Sequence, residues 1–363
     1  MMNIGLVGCG DISGIYIQNM RDVFSREIKL VAVCDLIKER AEKAKNAYGD
    51  CKIYDTMDEL FADPDVDIVL NLTRPYQHYG VTKGALLAGK HAYSEKPLGA
   101  SLEEGEELVK IAKEKGLYLG GAPDTFLGAG IQTCRKLLDS GELGEVVGGR
   151  CAVLSKGPER WHPDPDFFYQ YGGGPLFDMG PYYVTALINL LGEVKEVAGV
   201  GSKPFAKRMI SAKERYGEMI NVNVDTHIES ILTFASGVSV SLASSFDVYK
   251  TKQPNITLYT TKGTLYVPDP NNFGGMIEFY DGTAKETKEY PLEFPYDVNS
   301  RALGLADMAK AIETGSPART TYKQTFHVLE VLSKILRSSD EGRTLEITSH
   351  FTREVPMQEK ANG

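Results

Sequence analysis

From Asn3 the chain runs through a short apolar stretch, NIGLVG, into the glycine-rich GCGDISG, then the amphipathic IYIQNMRDVF and a second apolar stretch, IKLVAVCD. Short apolar runs bounded by glycine or an acid read as buried strands, and apolar positions three and four apart read as a helix face. The alternation continues. LIKERAEKAKNAYG predicts a helix, VDIVLNL (66–72) a strand, YGVTKGALLAGK (79–90) a helix ended by Gly89, and HAYSEKP (91–97) a strand and its exit. LEEGEELVKIAKEKG (102–116) follows as a helix and LYLGG (117–121) as a last strand. Strands and helices taking turns in this way predict an α/β domain built on a doubly wound parallel sheet.

After Gly121 the pattern changes. A helix is predicted over 128–140, and from Glu145 strands succeed one another at 146–153, 194–200, 227–234, 238–242, 255–259 and 264–267. Turns at Ser236-Gly237 and Lys262-Gly263 mark hairpins. Strands in succession without long crossover helices predict a large, mainly antiparallel open sheet, one face of which covers the helix at 182–191 or a neighbouring subunit. Helices near 301–313 and 322–337 close the chain. The expected organisation is a doubly wound α/β domain over 1–122 and an α+β domain for substrate and self-association, as a homo-oligomer, over 123–363. A length of 363 residues suits two cores better than one.

Composition narrows the partners. With 42% apolar and 25% charged residues and a net charge of −9, the chain has the make-up of a soluble globular protein. It has no clustered Lys and Arg stripe for a nucleic-acid groove. Its five cysteines are widely spaced, with no C-x-x-C pair for zinc or redox work, so reduced thiols are expected. The opening MMNIGLVGCG has no basic n-region, and nothing approaches the ~18 apolar residues of a membrane span, so a cytoplasmic protein is expected.

Gly8 and Gly10 fall where the first strand turns into a helix, the place where helix amides hold a pyrophosphate; Asp11 and Ile12 share that loop. Ser13 stands where G-x-G-x-x-G has its third glycine, and Gly14 comes one residue late. Asp35 ends the second strand about 20 residues on, where an acid accepts hydrogen bonds from ribose hydroxyls and repels a 2′-phosphate, which points to NAD. Asp35 is also a candidate cap for the helix that follows. Ligands of such sheets lie beyond the carboxyl ends of the strands, which singles out Asn71, Thr73 and Arg74 after one strand and Glu95 and Lys96 after the next. Pro97 restricts the backbone of Lys96.

Further along, GGGPLFDMGPYY precedes the apolar VTALINLLG. Proline is tolerated only in a helix's first turn, so Pro181 sets a start just before it and puts Asp178 at or beside that start. Asp178 and Tyr182, four apart, then share a face. Asp178 as a plain cap and Tyr182 as half-buried packing are the alternative. Upstream, KGPERWHPDPDFFY (156–169) holds the chain's one tryptophan and three prolines. A stiff loop carrying Trp161 and His162 can stack on and hydrogen-bond a sugar ring. Alternatively, Trp161 packs down on the sheet. His162 and Asp164 make an incomplete ligand set, and no metal is expected.

Taken together, the GCGDIS loop, the Asp35 strand end, the run from Thr73 through His78 to GKHAYSEKP, and GGGPLFDMGPYY resemble the Gfo/Idh/MocA family of nicotinamide-dependent oxidoreductases over nearly the whole chain. The resemblance implies a Rossmann domain plus an open-faced α/β domain, with the nicotinamide near Lys96 and with His78 among the cofactor-binding residues. Lys96 and Asp178 match the family's catalytic lysine and aspartate; Tyr182 stands where most members have a catalytic histidine, as in some members acting on sugars. Its implied activity is NAD-dependent oxidation of a secondary hydroxyl, C3 first, of a sugar, glycoside or cyclitol. Redox-assisted glycoside cleavage with cofactor recycling and a non-catalytic NAD-responsive regulator are the other classes. Oxidising an alcohol needs a group that takes the hydroxyl proton. The expected carrier is Tyr182, with the Lys96 ammonium favouring the phenolate and Asp178 as the orienting acceptor; Lys96 as base requires desolvation.

Overall fold

In the computed structural model, which describes residues 1–360, all the runs read as strands in the first third pair within one sheet. The order along the chain is β1 (Met2–Val7), α1 (Ser13–Asp22), β2 (Ile28–Cys34), α2 (Lys38–Tyr48), β3 (Lys52–Tyr54), α3 (Met57–Ala62), β4 (Ile68–Asn71), α4 (His78–Leu87), β5 (His91–Ser94), α5 (Leu102–Lys115) and β6 (Leu119–Gly121). The strands are all parallel in the order β3-β2-β1-β4-β5-β6. Order reverses at β1, so the exits of β1 and β4 form the switch point where doubly wound sheets bind ligands. β4 is buried at every position, as a central strand covered on both faces must be. The sequence reading passes over β3 and α3. β3 is a three-residue edge strand without an apolar run, but α3 has a legible signal: Thr56 and Glu59 form a reciprocal capping box.

The second unit comprises residues 126–298 and 330–363. It holds α6 (Ala129–Asp139), β7 (Val146–Leu154), α7 (Gly174–Asp178), α8 (Gly180–Leu191), β8 (Val194–Ser202), β9 (Lys207–Met209), β10 (Met219–Asn221), β11 (His227–Phe234) and β12 (Ser239–Ser245). β13 (Ile256–Thr260), β14 (Gly263–Val267), β15 (Ile277–Asp281), β16 (Glu286–Tyr290) and β17 (Leu345–Glu346) follow. Nine strands pair in the order β16-β15-β14-β13-β7-β12-β11-β8-β17. β7 and β12 run parallel and the other neighbours antiparallel. On β11, Ile228, Ser230, Leu232 and Phe234 are buried while Glu229 and Ile231 are exposed, the period of a sheet with one covered face. Among the covering helices, α8 is buried at every position from Gly180 to Leu190, and so lies in the core of this unit. β9 and β10 pair apart from the large sheet, in an excursion between β8 and β11 that the sequence reading also passes over.

Two further helices precede β17, α9 (Leu303–Thr314) and α10 (Tyr322–Glu341). A boundary at 122/123 assigns both to the second domain, yet residues 299–329 belong with 1–125 in the first compact unit. The cause is a set of hydrogen bonds distant in sequence. The Asn19 amide donates to the carbonyls of Asn299 and Arg301 at 3.0 and 2.8 Å, and the Gly304 amide donates to the Asp124 carboxylate at 3.0 Å. Next to them, Gly105 of α5 leaves room for Leu329, whose Cδ2 lies 2.6 Å from where a Cβ would be.

Candidate functional site

The glycine loop after β1 is shaped by two different needs. Gly8 has φ +92°, and a Cβ there would lie 2.8 Å from the carbonyl carbon of Leu72, so only glycine lets the exits of β1 and β4 lie together. At Gly10 an added Cβ meets nothing within 4 Å, which leaves open space beside the start of α1. Ser13 replaces the third glycine without loss of the turn: its amide and hydroxyl donate to the Gly10 carbonyl at 3.0 and 2.6 Å. Asp11 is exposed and Ile12 half-buried, and the opening amides and positive dipole end of α1 follow directly. Asp35 is locked to this loop. Its carboxylate accepts from the Cys9 amide at 2.7 Å and from the Ile37 amide at 2.8 Å, while α2 begins later, at Lys38, with no side-chain cap. Burial, then the Asp35 charge, push the Cys9 thiol up to about 12. Open space at a helix start, with a carboxylate at the end of the next strand, fits a dinucleotide.

At the neighbouring strand ends the polar groups are built in layers. Asn71 is fully buried; its amide donates to the His78 carbonyl and the Thr82 hydroxyl at 3.0 Å each, and its oxygen accepts from the Thr73 amide and hydroxyl. His78 is buried as well, its Nδ1 2.7 Å from the Pro97 carbonyl and its Nε2 3.0 Å from the Thr73 carbonyl. Burial pushes its pKa down and the two carbonyls pull the other way. Asn71 and His78 thus shape the loops from within, while Thr73, Arg74 and Lys96 are half-buried at their surface. The Lys96–Pro97 peptide is cis. Glu95 is buried, and its carboxylate accepts from the Tyr16 hydroxyl and from the Lys96 amide at 2.9 Å each, fixing the lysine's backbone. Burial and then Glu95 hold the Tyr16 phenol far above its usual range. Tyr16 and the buried Asp124 escape the sequence reading, because their role comes from partners remote in sequence.

In the second unit the triple glycine proves to be a packing requirement. Gly172 and Gly174 have φ +79° and +83°. At Gly173 a Cβ would lie 2.5 Å from the Phe167 carbonyl oxygen and 2.8 Å from that of Phe168. One continuous helix face shared by Asp178 and Tyr182 is not formed. Asp178 ends the short α7, Met179 is the joint, and Tyr182 lies in the first turn of α8, because Pro175 and Pro181 each open a helix of their own. Tyr182 is only 7% exposed and Asp178 half-buried. The next residue, Tyr183, anchors α8: its hydroxyl donates to Asp269 at 3.0 Å and accepts from the Asn255 amide at 2.8 Å.

Trp161 does not pack down on the sheet. It is 65% exposed, with its ring edge-on to His162 and Phe168 at centroid distances of 5.4 and 6.5 Å. His162 Nδ1 accepts from the Asp164 amide at 3.0 Å, which puts the ring proton on Nε2. Asp164 is ion-paired with Arg215 at 3.1 Å. Among the described residues no group of three or more His, Cys, Asp or Glu side chains is arranged to hold a metal, and no helix is long and apolar enough to cross a membrane. All five cysteines are free and buried.

The chain is similar to proteins already known. Over 361 residues the chain is 22% identical to the scyllo-inositol 2-dehydrogenase (NADP(+)) IolW of Bacillus subtilis, covering 95% of both. It is 28% identical to the trans-1,2-dihydrobenzene-1,2-diol dehydrogenase of Oryctolagus cuniculus, over 79% of this chain and 80% of the other. The solved structure of levoglucosan dehydrogenase with NADH and L-sorbose superposes with a TM-score of 0.81 at 20% identity, over 96% of this chain and 99% of that one, and so shares the fold. Residues 2–121 match the oxidoreductase family with an NAD-binding Rossmann fold, and residues 131–266 match the GFO/IDH/MocA C-terminal domain. The chain belongs to the Gfo/Idh/MocA family of oxidoreductases.

Proposed function

We propose that the protein is an NAD-dependent dehydrogenase that oxidises a ring secondary hydroxyl of a sugar or glycoside, C3 first. The observation that carries this reading is Lys96, half-buried after β5, with its backbone fixed by the buried Glu95 carboxylate beside a glycine loop that fits a dinucleotide. A bound nicotinamide supplies the acceptor for the hydride that leaves the alcohol carbon. Gly8, Gly10, Asp11 and Ile12 form the loop for the pyrophosphate, Asp35 accepts from the ribose, and Thr73 and Arg74 border the cofactor. Tyr182 takes the hydroxyl proton, the Lys96 ammonium favours the phenolate, and Asp178 orients the reacting group as a hydrogen-bond acceptor. Trp161 stacks on the sugar ring, and His162 donates from Nε2 to a hydroxyl.

Asp35 favours NAD over NADP, since a 2′-phosphate meets its carboxylate with like charge. A cyclitol is the second substrate class, favoured by full-length similarity to a scyllo-inositol dehydrogenase. The test is a panel of pyranoses, cyclitols and glycosides incubated with NAD and the purified protein. Accumulating NADH with a pyranose or glycoside supports the proposal; cyclitols outrunning them shift it to the second class. Aglycone release without net NADH replaces it by redox-assisted cleavage. Tight NAD binding with no turnover of any compound leaves a regulator and overturns the enzyme reading.

A further inference from the structure

Residues 203–223, the excursion that contains β9 and β10, grip the 156–171 loop at both ends of its Trp161–His162 segment. At one end Arg208 of β9 is buried and ion-paired with Glu159, its Nη2 2.6 Å and its Nε 3.0 Å from the same carboxylate oxygen. Arg208 also pairs with Asp247 and donates to the Lys156 carbonyl at 2.7 Å, and the other Glu159 oxygen accepts from the Tyr169 hydroxyl. The amides of Ser211 and Ala212 donate to the Glu159 carbonyl at 2.9 and 3.0 Å. At the other end Arg215 pairs with Asp164, at 3.1 Å, and with Asp166. Beneath the loop, Phe168 and Tyr169 share a small apolar core with Ile210, Ile220, Val222 and Phe246.

An exposed aromatic on a loop ordinarily costs binding energy, because the loop must be ordered when the ligand arrives. Here the ordering is done in advance: Glu159 and Asp164 flank Trp161 and His162, and each is held by an arginine from the excursion. Arg208 satisfies two carboxylates and the carbonyls of Lys156 and Phe246, which a lysine's single ammonium does less well. We infer that the 203–223 excursion is a clamp that presets the Trp161–His162 loop for the substrate ring, with Arg208 and Arg215 as positioning residues. This rests on the reading that Trp161 and His162 touch the substrate. Neither arginine is assigned to the chemistry, so the clamp acts on recognition of the ring and not on proton transfer.

Trp161 is the one tryptophan in the chain, so its fluorescence reports on this loop alone. In Arg215→Ala, which removes a half-buried side chain at the surface, the expected results are a faster, larger local decay of Trp161 anisotropy and a KM for the pyranose raised by ~5-fold or more, with kcat and NAD affinity within about 2-fold. Arg215→Lys restores part of both effects, and Arg208→Lys gives the same pattern as Arg215→Ala. Wild-type anisotropy and KM in Arg215→Ala overturn the clamp, as does altered anisotropy with unchanged KM when Trp161→Ala raises KM. If Trp161→Ala itself leaves KM unchanged, the substrate-contact reading fails, and the clamp's role in presetting recognition falls with it.

Discussion

The Asp35 carboxylate accepts the Cys9 amide at 2.7 Å, so the group that would meet the ribose also holds the loop that would meet the pyrophosphate. Asp35→Ala should therefore do two things at once. The preference for NAD over NADP narrows, since the like charge is gone, and NAD itself binds about 10-fold more weakly, since the loop loses its tie. Titration of both dinucleotides checks this. An unchanged NAD/NADP ratio contradicts the role given to Asp35.

Gly8 and Gly10 make a paired prediction, two positions apart in the motif and opposite in consequence. Gly8→Ala puts a side chain at φ +92° against the Leu72 carbonyl and costs on the order of 3 kcal/mol of stability. Gly10→Ala, with nothing within 4 Å of its new methyl, leaves thermal stability nearly unchanged but takes space that the proposed function gives to the dinucleotide. NAD affinity then drops by ~10-fold or more. Thermal melts with and without NAD separate the two.

That contrast marks how far the sequence is legible. The glycines, the strand ends and the acid at Asp35 follow from short-range patterns of burial and turn chemistry. The same patterns cannot say which glycine serves the protein and which the ligand, because that depends on what β4 places opposite. The 203–223 excursion fails for a similar reason: its strands are three residues long and partly polar, and Arg208 finds Glu159 and Asp247 far along the chain. Residues 299–329 return to the first unit through backbone carbonyls, which carry no sequence signal at all.

Asp124 gives a pH dependence of known sign. Burial raises its carboxyl from 3.8 to about 6, against the pull of the Gly304 amide. The folded state therefore holds this proton more tightly than the unfolded chain does. The stability that the neutral carboxyl supplies is complete below about pH 4 and is lost as pH rises through about 6. Asp124→Asn keeps an acceptor for Gly304 without the charge. Relative to wild type it should be more stable near pH 8 by on the order of 2 kcal/mol, with the gap closing near pH 4. Urea unfolding at the two pH values measures it; a gap independent of pH contradicts the assignment.

Proton transfer is tested by Tyr182→Phe, which keeps the buried ring and removes the hydroxyl. The expected loss is ~10²-fold or more in kcat, with partial recovery in Tyr182→His. Lys96→Met should lose at least ~10-fold in kcat/KM, while NAD affinity stays within a few-fold, because its proposed work is at the reacting hydroxyl. Full activity in the phenylalanine variant removes Tyr182 from the chemistry.

The most direct measurement follows the hydrogen itself. A pyranose or its glycoside, deuterated at every ring carbon and in a second sample at C3 alone, is incubated with NAD and the protein, and the recovered cofactor is weighed by mass spectrometry. The account predicts one deuterium in the reduced cofactor from both samples. Label from the ring-deuterated sample alone rejects only the C3 assignment, and no label from either contradicts hydride transfer from a ring secondary carbon, the claim on which the account rests.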